Sequence, residues 1–264
     1  MSWPADRNFD DLAHRFKRNV YDGLKGEVRL EVLTRDLSEF MPGLYPEHLD
    51  FKPLRILDAG GGQGQFSLSL AQQGHYLTLC DISENMLALA RDNACELGLE
   101  DQINFHLGSI QSLACENSAG YDLVLCHAVL EWVSDPKVLL DALVSMMSPD
   151  GILSLTFYNV NGTLLKNLLR GNFQKVLDND FRGYRGSLTP TYPREPERVL
   201  QWLLDRHQTV LCRSGIRCFH DYILDPEVLV SEPEQQLALE LALSREEPWR
   251  SLGRYIHVLS RGSE

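Results

Sequence analysis

The sequence is short of the features that would place it in several large classes. Its six cysteines are scattered through 264 residues with no Cys-x-x-Cys pair, so it spells out neither a metal site nor a disulfide frame. Unpaired thiols fit a reducing compartment and point to the cytoplasm. No apolar run approaches the roughly 18 residues of a membrane span. The N-terminus, Met1-Ser-Trp-Pro-Ala-Asp-Arg-Asn8, does not read as a signal peptide. Basic charge is also scarce: 25 Lys and Arg against 37 Asp and Glu leave a net −12. That argues against a general nucleic-acid binder while leaving room for a local basic face. A P-loop lysine, a His-Glu-x-x-His pair, a Ser-His-Asp arrangement and internal repeats are all missing.

What is present is one sharply punctuated stretch, Arg55-Ile-Leu-Asp-Ala-Gly-Gly-Gly-Gln-Gly64. A short apolar strand runs into Asp58, and Gly60, Gly62 and Gly64 alternate before a helix that should begin near Gln65. A strand reversing into a helix needs φ values that a Cβ forbids, and a ligand held against that backbone leaves no room for side chains. The helix start beyond it offers free N–H groups. The order Asp-x-Gly-x-Gly-x-Gly differs from the dinucleotide fingerprint Gly-x-Gly-x-x-Gly, which argues against a nicotinamide dehydrogenase. It resembles motif I of the class I S-adenosylmethionine-dependent methyltransferases. Asp81, at the end of a second strand Tyr76–Cys80, either meets a ribose diol or caps the next helix. Ser83 can supply that cap instead.

Residues 54–158 alternate strand (54–58, 76–81, 103–107, 121–126, 152–158) with helix (65–73, 84–98, 135–147). This predicts an α/β fold with a mostly parallel, twisted sheet covered on both faces, and a ligand beyond the carboxyl ends of the strands. Residues 6–40 read as amphipathic helix ahead of that core. After it come a short helix at 161–170, a helix at 196–206 and helix across the acidic 225–247. Strands at 209–219 and 254–260 should pair antiparallel at one sheet edge. The expected division is 1–50, an N-terminal helical lid; 51–160, the cofactor-binding core; 161–208, an insert for substrate; and 209–264, strands and helix completing the sheet. Ten Lys or Arg between Lys166 and Arg217 stand against six acids between Asp178 and Asp221, a locally basic region in an acidic chain.

Several residues are candidates for chemistry. His127, after the fourth strand, is either a satisfied core histidine or lies at the reacting end of the cofactor. Gln111, after the third strand, either reads an adenine edge or belongs to a plain surface turn, Gly108–Gln111. Glu131 and Trp132 should open a helix, with Trp132 either in the core, the favoured reading, or stacked on a substrate base. Ile216-Arg-Cys-Phe-His-Asp-Tyr222 and Leu252-Gly-Arg-Tyr-Ile-His-Val258 each combine Arg, His and Tyr, and pairing of their strands would bring these donors to one edge.

A wider set of blocks carries a more specific resemblance. They are Lys25-Gly-x-x-Arg29, Leu57–Gln65, Leu79-Cys-Asp81, His127-Ala-Val-Leu-Glu-Trp-Val133, Phe157-Tyr-Asn159, Gly171-Asn-Phe173, Leu188-x-Pro-x-Tyr-Pro-Arg194, Phe219–Tyr222 and Leu252–Val258. Together they resemble the bacterial tRNA 5-carboxymethoxyuridine methyltransferases over nearly the whole chain from Arg7. The resemblance implies a Rossmann-like class I methyltransferase that uses S-adenosyl-L-methionine to esterify the carboxylate of 5-carboxymethoxyuridine at tRNA wobble position 34. It implies tRNA as partner, no membrane and no metal, and cofactor contacts from Arg29, Gly60, Gly61, Asp81, Ile110, Gln111 and His127. Such a carboxylate is already ionised near neutral pH and needs no general base. The positioning candidates are therefore Arg194, Arg217, Tyr222, Arg254 and Tyr255. The chain departs from the family where a lysine run is expected, at Asp178-Asn-Asp-Phe-Arg-Gly-Tyr-Arg-Gly186. Only Arg182 and Arg185 keep the sign there, which shifts phosphate contact toward Arg170, Lys175, Arg194, Arg198 and Arg217. Two other functions fit the same core: a small-molecule carboxylate or O-methyltransferase, and a non-catalytic S-adenosylmethionine-binding partner protein.

Overall fold

The computed structural model describes residues 10, 23–116, 120–181 and 189–263. The expected helix before residue 23, and Arg182 and Arg185, lie outside the described residues. The sheet has seven strands: β1 (Arg55–Ala59), β2 (Tyr76–Asp81), β3 (Ile103–Leu107), β4 (Tyr121–His127), β5 (Met147–Tyr158), β6 (Gln208–Ile216) and β7 (Tyr255–Gly262), in the order β3-β2-β1-β4-β5-β7-β6. The first five run parallel, and β7 runs antiparallel between β5 and β6. The expected antiparallel edge is thus built by β7 and β6. Their pairing sets Ile216 opposite Tyr255, and Tyr255 opposite Tyr158 of β5.

Period-two alternation splits each strand between two cores. Val124 and Cys126 of β4 face a cluster with Leu139 and Leu143 of α5 (Pro136–Ser145) and Val199 and Leu203 of α8 (Pro196–Leu204). Leu123 and Leu125 face the other cluster. It holds Leu33 and Leu37 of α1 (Leu24–Phe40), Leu68 and Leu70 of α2 (Ser67–Gln72), and Leu87 and Ala90 of α3 (Glu84–Glu96). Helix starts are capped by residues the sequence offers: Asp135 accepts from Lys137 and Val138 N–H ahead of Pro136, and Ser83 accepts from Met86 N–H.

Three expectations change. The link from β3 to β4 holds a short helix, α4 (Ile110–Glu116), rather than a plain surface turn; Ser109 Oγ accepts the Ser112 N–H at 3.0 Å and starts it. Glu131 and Trp132 lie in a single 3-10 turn, Leu130–Trp132, rather than opening a helix. The acidic stretch is two helices, α9 (Pro226–Val230) and α10 (Pro233–Leu243), because Glu232 turns left-handed at φ 47° ahead of Pro233. The remaining short helices are α6 (Val160–Leu169), α7 (Phe173–Leu177) and α11 (Trp249–Leu252).

α1 is fastened to the sheet through a buried acid. Asp36 accepts from His257 Nδ1 of β7 at 2.8 Å, and its other oxygen takes Arg35 and Arg245, each at 2.7 Å. Burial alone would raise the Asp36 pKa, but the hydrogen bond from His257 and the charge of Arg35 hold it well below the ordinary carboxylate range. Breaking a buried pair from one side costs about 3–5 kcal/mol, whereas an exposed pair is worth under about 1 kcal/mol. Urea denaturation at pH 7 should therefore show Asp36→Ala losing stability on the larger scale. Arg213→Ala, which removes the exposed contact to Glu197 at 3.5 Å, should stay on the smaller one. Equal losses would overturn the anchoring role of Asp36.

Candidate active site

The site forms where strand order reverses, beyond the carboxyl ends of β1 and β4. The chain leaving β1 folds back onto β2: Gly60 and Gly61 N–H both donate to Cys80 O, at 2.8 and 3.2 Å, and Gly62 N–H donates to Asp81 Oδ2 at 2.9 Å. Gly60, Gly62 and Gly64 have φ of 74°, 57° and 75°, and a Cβ on Gly61 would lie 2.5 Å from the Asp58 carboxyl. The alternating glycines are required by the turn itself.

Asp81 is not freed by the Ser83 cap. Its Oδ1 accepts the Ser83 N–H at 2.8 Å while Oδ2 holds Gly62, so it fastens the turn to α3. Burial raises the pKa of Asp81, and burial raises that of Asp58 to about 7 despite a hydrogen bond from Ser67. At the rim, Asp10 accepts the Ser83 hydroxyl at 2.6 Å and the Asn85 N–H at 3.3 Å, at the start of α3.

His127 ends β4. Its Nε2 lies 2.8 Å from Ser154 Oγ, and burial, with the charge of Arg29 nearby, keeps its pKa well below the usual imidazole value. It is therefore neutral near pH 7. Arg29 enters from α1, buried, with its guanidinium 4.4 Å from the centre of the Tyr255 ring. One cavity gathers Arg29, Gly60, Gly61, Asp81, Ile110, Gln111 and His127, together with Asp58, Phe66, Met86 and Trp132. Trp132 is half-buried in the cavity wall, not core as expected from its apolar surroundings. Among the described residues no group of three or more His, Cys, Asp or Glu is placed to hold a metal ion, and no helix is long and apolar enough to cross a membrane.

A cationic, aromatic cluster adjoins the cavity through Tyr255. Arg217 lies 5.4 Å from the Tyr255 ring on β7, Tyr158 meets that ring edge-on at 5.2 Å, and Arg254 covers the Tyr158 ring at 4.6 Å. Asp221 pairs with Arg217 at 3.2 Å and Arg254 at 3.6 Å. Burial would raise the Asp221 pKa, but Arg217, Lys166 and Arg254 lower it. Lys166, half-buried beside these cations, is pulled down to about 8 by desolvation. The strand pairing thus brings Arg217, Arg254 and Tyr255 together.

The geometry does not bring Arg194 there. Its guanidinium donates to Leu130 O at 2.7 and 3.0 Å and to Val133 O at 2.7 Å, which holds the 3-10 turn after His127. Tyr222 adjoins the cluster, but its hydroxyl donates to Leu252 O at 2.6 Å and is spent on the backbone. Sequence reasoning singled out neither Lys166, Asp221 nor Tyr158. The last two sit inside the quoted blocks Phe219–Tyr222 and Phe157–Asn159, which was the available signal.

Comparison with known proteins decides the family. A methyltransferase domain model matches residues 57–155. The tRNA 5-carboxymethoxyuridine methyltransferase of Escherichia coli K12 is 40% identical over 256 residues, 97% of this chain and 96% of that protein. This chain belongs to the tRNA 5-carboxymethoxyuridine methyltransferase family. It is an S-adenosylmethionine-dependent methyltransferase. A ubiquinone biosynthesis O-methyltransferase of Xylella fastidiosa 9a5c is 33% identical over 57% of this chain and 68% of its own length. Magnesium protoporphyrin IX methyltransferase from Synechocystis PCC 6803, solved with bound SAH, shares the fold: TM-score 0.61, 19% identity, covering 97% of this chain and 96% of that one.

Glu131 supplies a pH test of the cavity wall. Burial pushes its pKa up to about 7, against the pull of Arg29 and Arg194. A folded-state pKa raised above the unfolded value gives stability that is full below about 4.5 and lost as pH climbs toward about 7. That interval corresponds to about 3 kcal/mol at most. Glu131→Gln should match wild type at pH 4.5 and melt higher at pH 8 in a thermal-shift series. A gap that is constant with pH would show that Glu131 does not hold its proton in the fold.

Proposed function

We propose that this chain transfers a methyl group from S-adenosylmethionine to the carboxylate of 5-carboxymethoxyuridine at tRNA wobble position 34, giving the methyl ester. The observation that carries the reading is the contact of Arg29 with Tyr255. It joins the cavity to a cluster in which Arg217, Arg254 and Lys166 outnumber one acid, Asp221. An anionic acceptor seated on that cluster faces the cavity.

The residues present fit the donor. The glycine turn would close over its methionine part, whose carboxylate would meet Arg29. Asp81 would accept from the ribose diol, the Ile110–Gln111 start of α4 would take the adenine, and His127 would lie at the reacting end. Residues 1–50 would serve as a lid on the core of 51–160, a role that Asp10 at the rim and Arg29 in the cavity support. Residues 161–208 and 209–264 supply Lys166, Arg217 and Arg254. When bound, the donor provides a methyl on a sulfonium; the C–S bond breaks as the O–CH3 bond forms on the acceptor carboxylate. The acceptor is ionised at neutral pH, so the chain has only to place it. Opposite charges cancel along the way, which a water-poor cavity favours. Near-attack alignment is worth roughly 7–11 kcal/mol.

Asp221 tempers the clamp. It shares its charge with Arg217 and Arg254, so the carboxylate is aimed without being so tightly held that it loses nucleophilicity. Arg170 and Lys175, exposed beside α6 and on α7, would meet phosphates; Arg198 lies 5.5 Å from the Trp202 ring on α8. The tRNA reading places the protein in the cytoplasm. The net charge of −12 favours a second reading, a small anionic metabolite as acceptor. Salt separates the two, because phosphate contacts weaken steeply with ionic strength.

Mass spectrometry of wobble nucleosides from wild-type and deletion-strain tRNA tests the assignment. Loss of the methyl ester with accumulation of the free acid is expected, and an unchanged profile would overturn the tRNA reading. Hydrogen bonds to charged groups are worth about 1.5–3 kcal/mol, so Arg217→Ala and Arg254→Ala should each lower kcat/KM for tRNA about tenfold to a hundredfold. Their affinity for S-adenosylhomocysteine should stay near wild type. Unchanged turnover in both variants would refute the aiming role.

A further inference from the structure

Behind the cavity lies a chain of polar groups that the reaction as derived does not use. Ser154, wholly buried on β5, has its hydroxyl oxygen between two imidazoles: His127 Nε2 at 2.8 Å and His257 Nε2 at 2.9 Å. His257 is itself fully buried and points Nδ1 at Asp36 Oδ2, 2.8 Å away. The other Asp36 oxygen already meets two guanidiniums, Arg35 and Arg245. Four elements contribute, β4, β5, β7 and α1, so the arrangement is not a local accident of one turn.

Proton counting gives this chain a direction. An ionised Asp36 only accepts, so His257 Nδ1 carries a proton. Arg35 and Arg245 both meet Asp36, and Arg245 also meets Glu39 at 2.6 Å, so two acids and two guanidiniums balance without a charge on the buried His257 ring; with its one ring proton on Nδ1, its Nε2 accepts. The single Ser154 hydrogen therefore goes to His257. The Ser154 oxygen must then accept from His127 Nε2–H. His127 is neutral, so its other nitrogen, Nδ1, carries a lone pair, on a ring that lines the cavity.

We propose that Ser154, His257 and Asp36 are positioning residues that fix the tautomer of His127, so that the cavity is offered a hydrogen-bond acceptor at Nδ1. Building on the cofactor reading above, the partner such a lone pair suits is the amino group of the donor's methionine part. The opposite tautomer would turn an N–H toward an ammonium. A buried polar chain of this kind is a poor device for stability, since packed apolar side chains serve that end as well or better. Orientation of a ligand-facing imidazole is what it supplies.

The test reads the tautomer directly, without cofactor, by long-range 1H–15N correlation of the imidazoles in 15N-labelled full-length protein at pH 7. Wild-type His127 should be protonated at Nε2. In Ser154→Ala that preference should be lost. In His257→Phe the Ser154 hydrogen is released to His127 Nε2, so the proton should move to Nδ1, a reversal that loosened packing would not produce. Calorimetry with S-adenosylhomocysteine should then show weaker binding, about tenfold for loss of one hydrogen bond to a charged group, in both variants. The KM for the donor should rise more than kcat falls. His127 remaining protonated at Nε2 in folded His257→Phe and Ser154→Ala would overturn the proposal. A shifted tautomer with unchanged affinity in both of these variants and in His127→Ala would sustain the relay and refute instead the placement of His127 against the cofactor.

Discussion

The fold turns on one constraint: the backbone leaving β1 must fold back onto the end of β2 without a side chain in the way. Two consecutive N–H groups, of Gly60 and Gly61, share one carbonyl on Cys80, and the next, of Gly62, takes the Asp81 carboxylate. Parallel pairing is thereby carried past the last strand residue and closed by an acid. Any Cβ at Gly61 would strike Asp58, and one at Gly60 would strike Val129 beside His127. The floor, one wall and the polar end of the cavity are therefore fixed by the same turn. The cost is two buried carboxyls, Asp58 and Asp81, whose pKa values burial raises. Asp81 is tolerated because each of its oxygens takes one backbone N–H that would otherwise be unmet, and Asp58 takes a hydrogen bond from Ser67.

A second, independent anchor holds the opposite side. β7 is the one strand that runs against the parallel set, and it brings Tyr255 and His257 to the carboxyl edge between β5 and β6. From these two alternate positions Tyr255 stacks with Arg29 and Arg217, whereas His257 runs inward to Ser154 and Asp36. One face of two turns of α1 meets both, Arg29 on the first and Asp36 on the second. A helix preceding the core in sequence is thus bound to the last strand of the chain, and the cavity is completed from both termini at once.

The alternating core was legible because buried parallel strands read as short apolar runs between glycine and acid punctuation. The glycine turn and Asp81 were legible because few residue types meet their backbone demands. What failed to show was what competes locally. α4 is short and starts on Gly-Ser with Gln111 and Ser112 inside, so propensity favours a turn. The break at Glu232 hides in an acidic stretch whose composition favours helix throughout, although Pro233 marked the new start. Arg194 sits in a block that matches the family, yet spacing does not reveal whether a guanidinium meets substrate or, as here, the carbonyls of Leu130 and Val133. Asp36 carried an unread signal: it lies four residues after Val32 and three after Leu33, on the buried stripe of α1, where an acid requires a buried partner.

The acidic body and the cationic site are two parts of one electrostatic arrangement. A chain of net −12 repels anions at long range, so an anionic acceptor gains little from steering and must be held by contacts at short range. The proposed place for those contacts is where Arg29, Arg217, Arg254 and Lys166 crowd around aromatic rings and one acid, in a region partly withdrawn from water. Desolvation, with Arg254 and Arg170 nearby, lowers the Lys166 pKa to about 8. An arriving carboxylate would offset that lowering by supplying a counter-charge. With Arg217, Arg254 and Lys166 set against Asp221 alone, the proposed cluster would gain from an anion beyond what that one acid supplies.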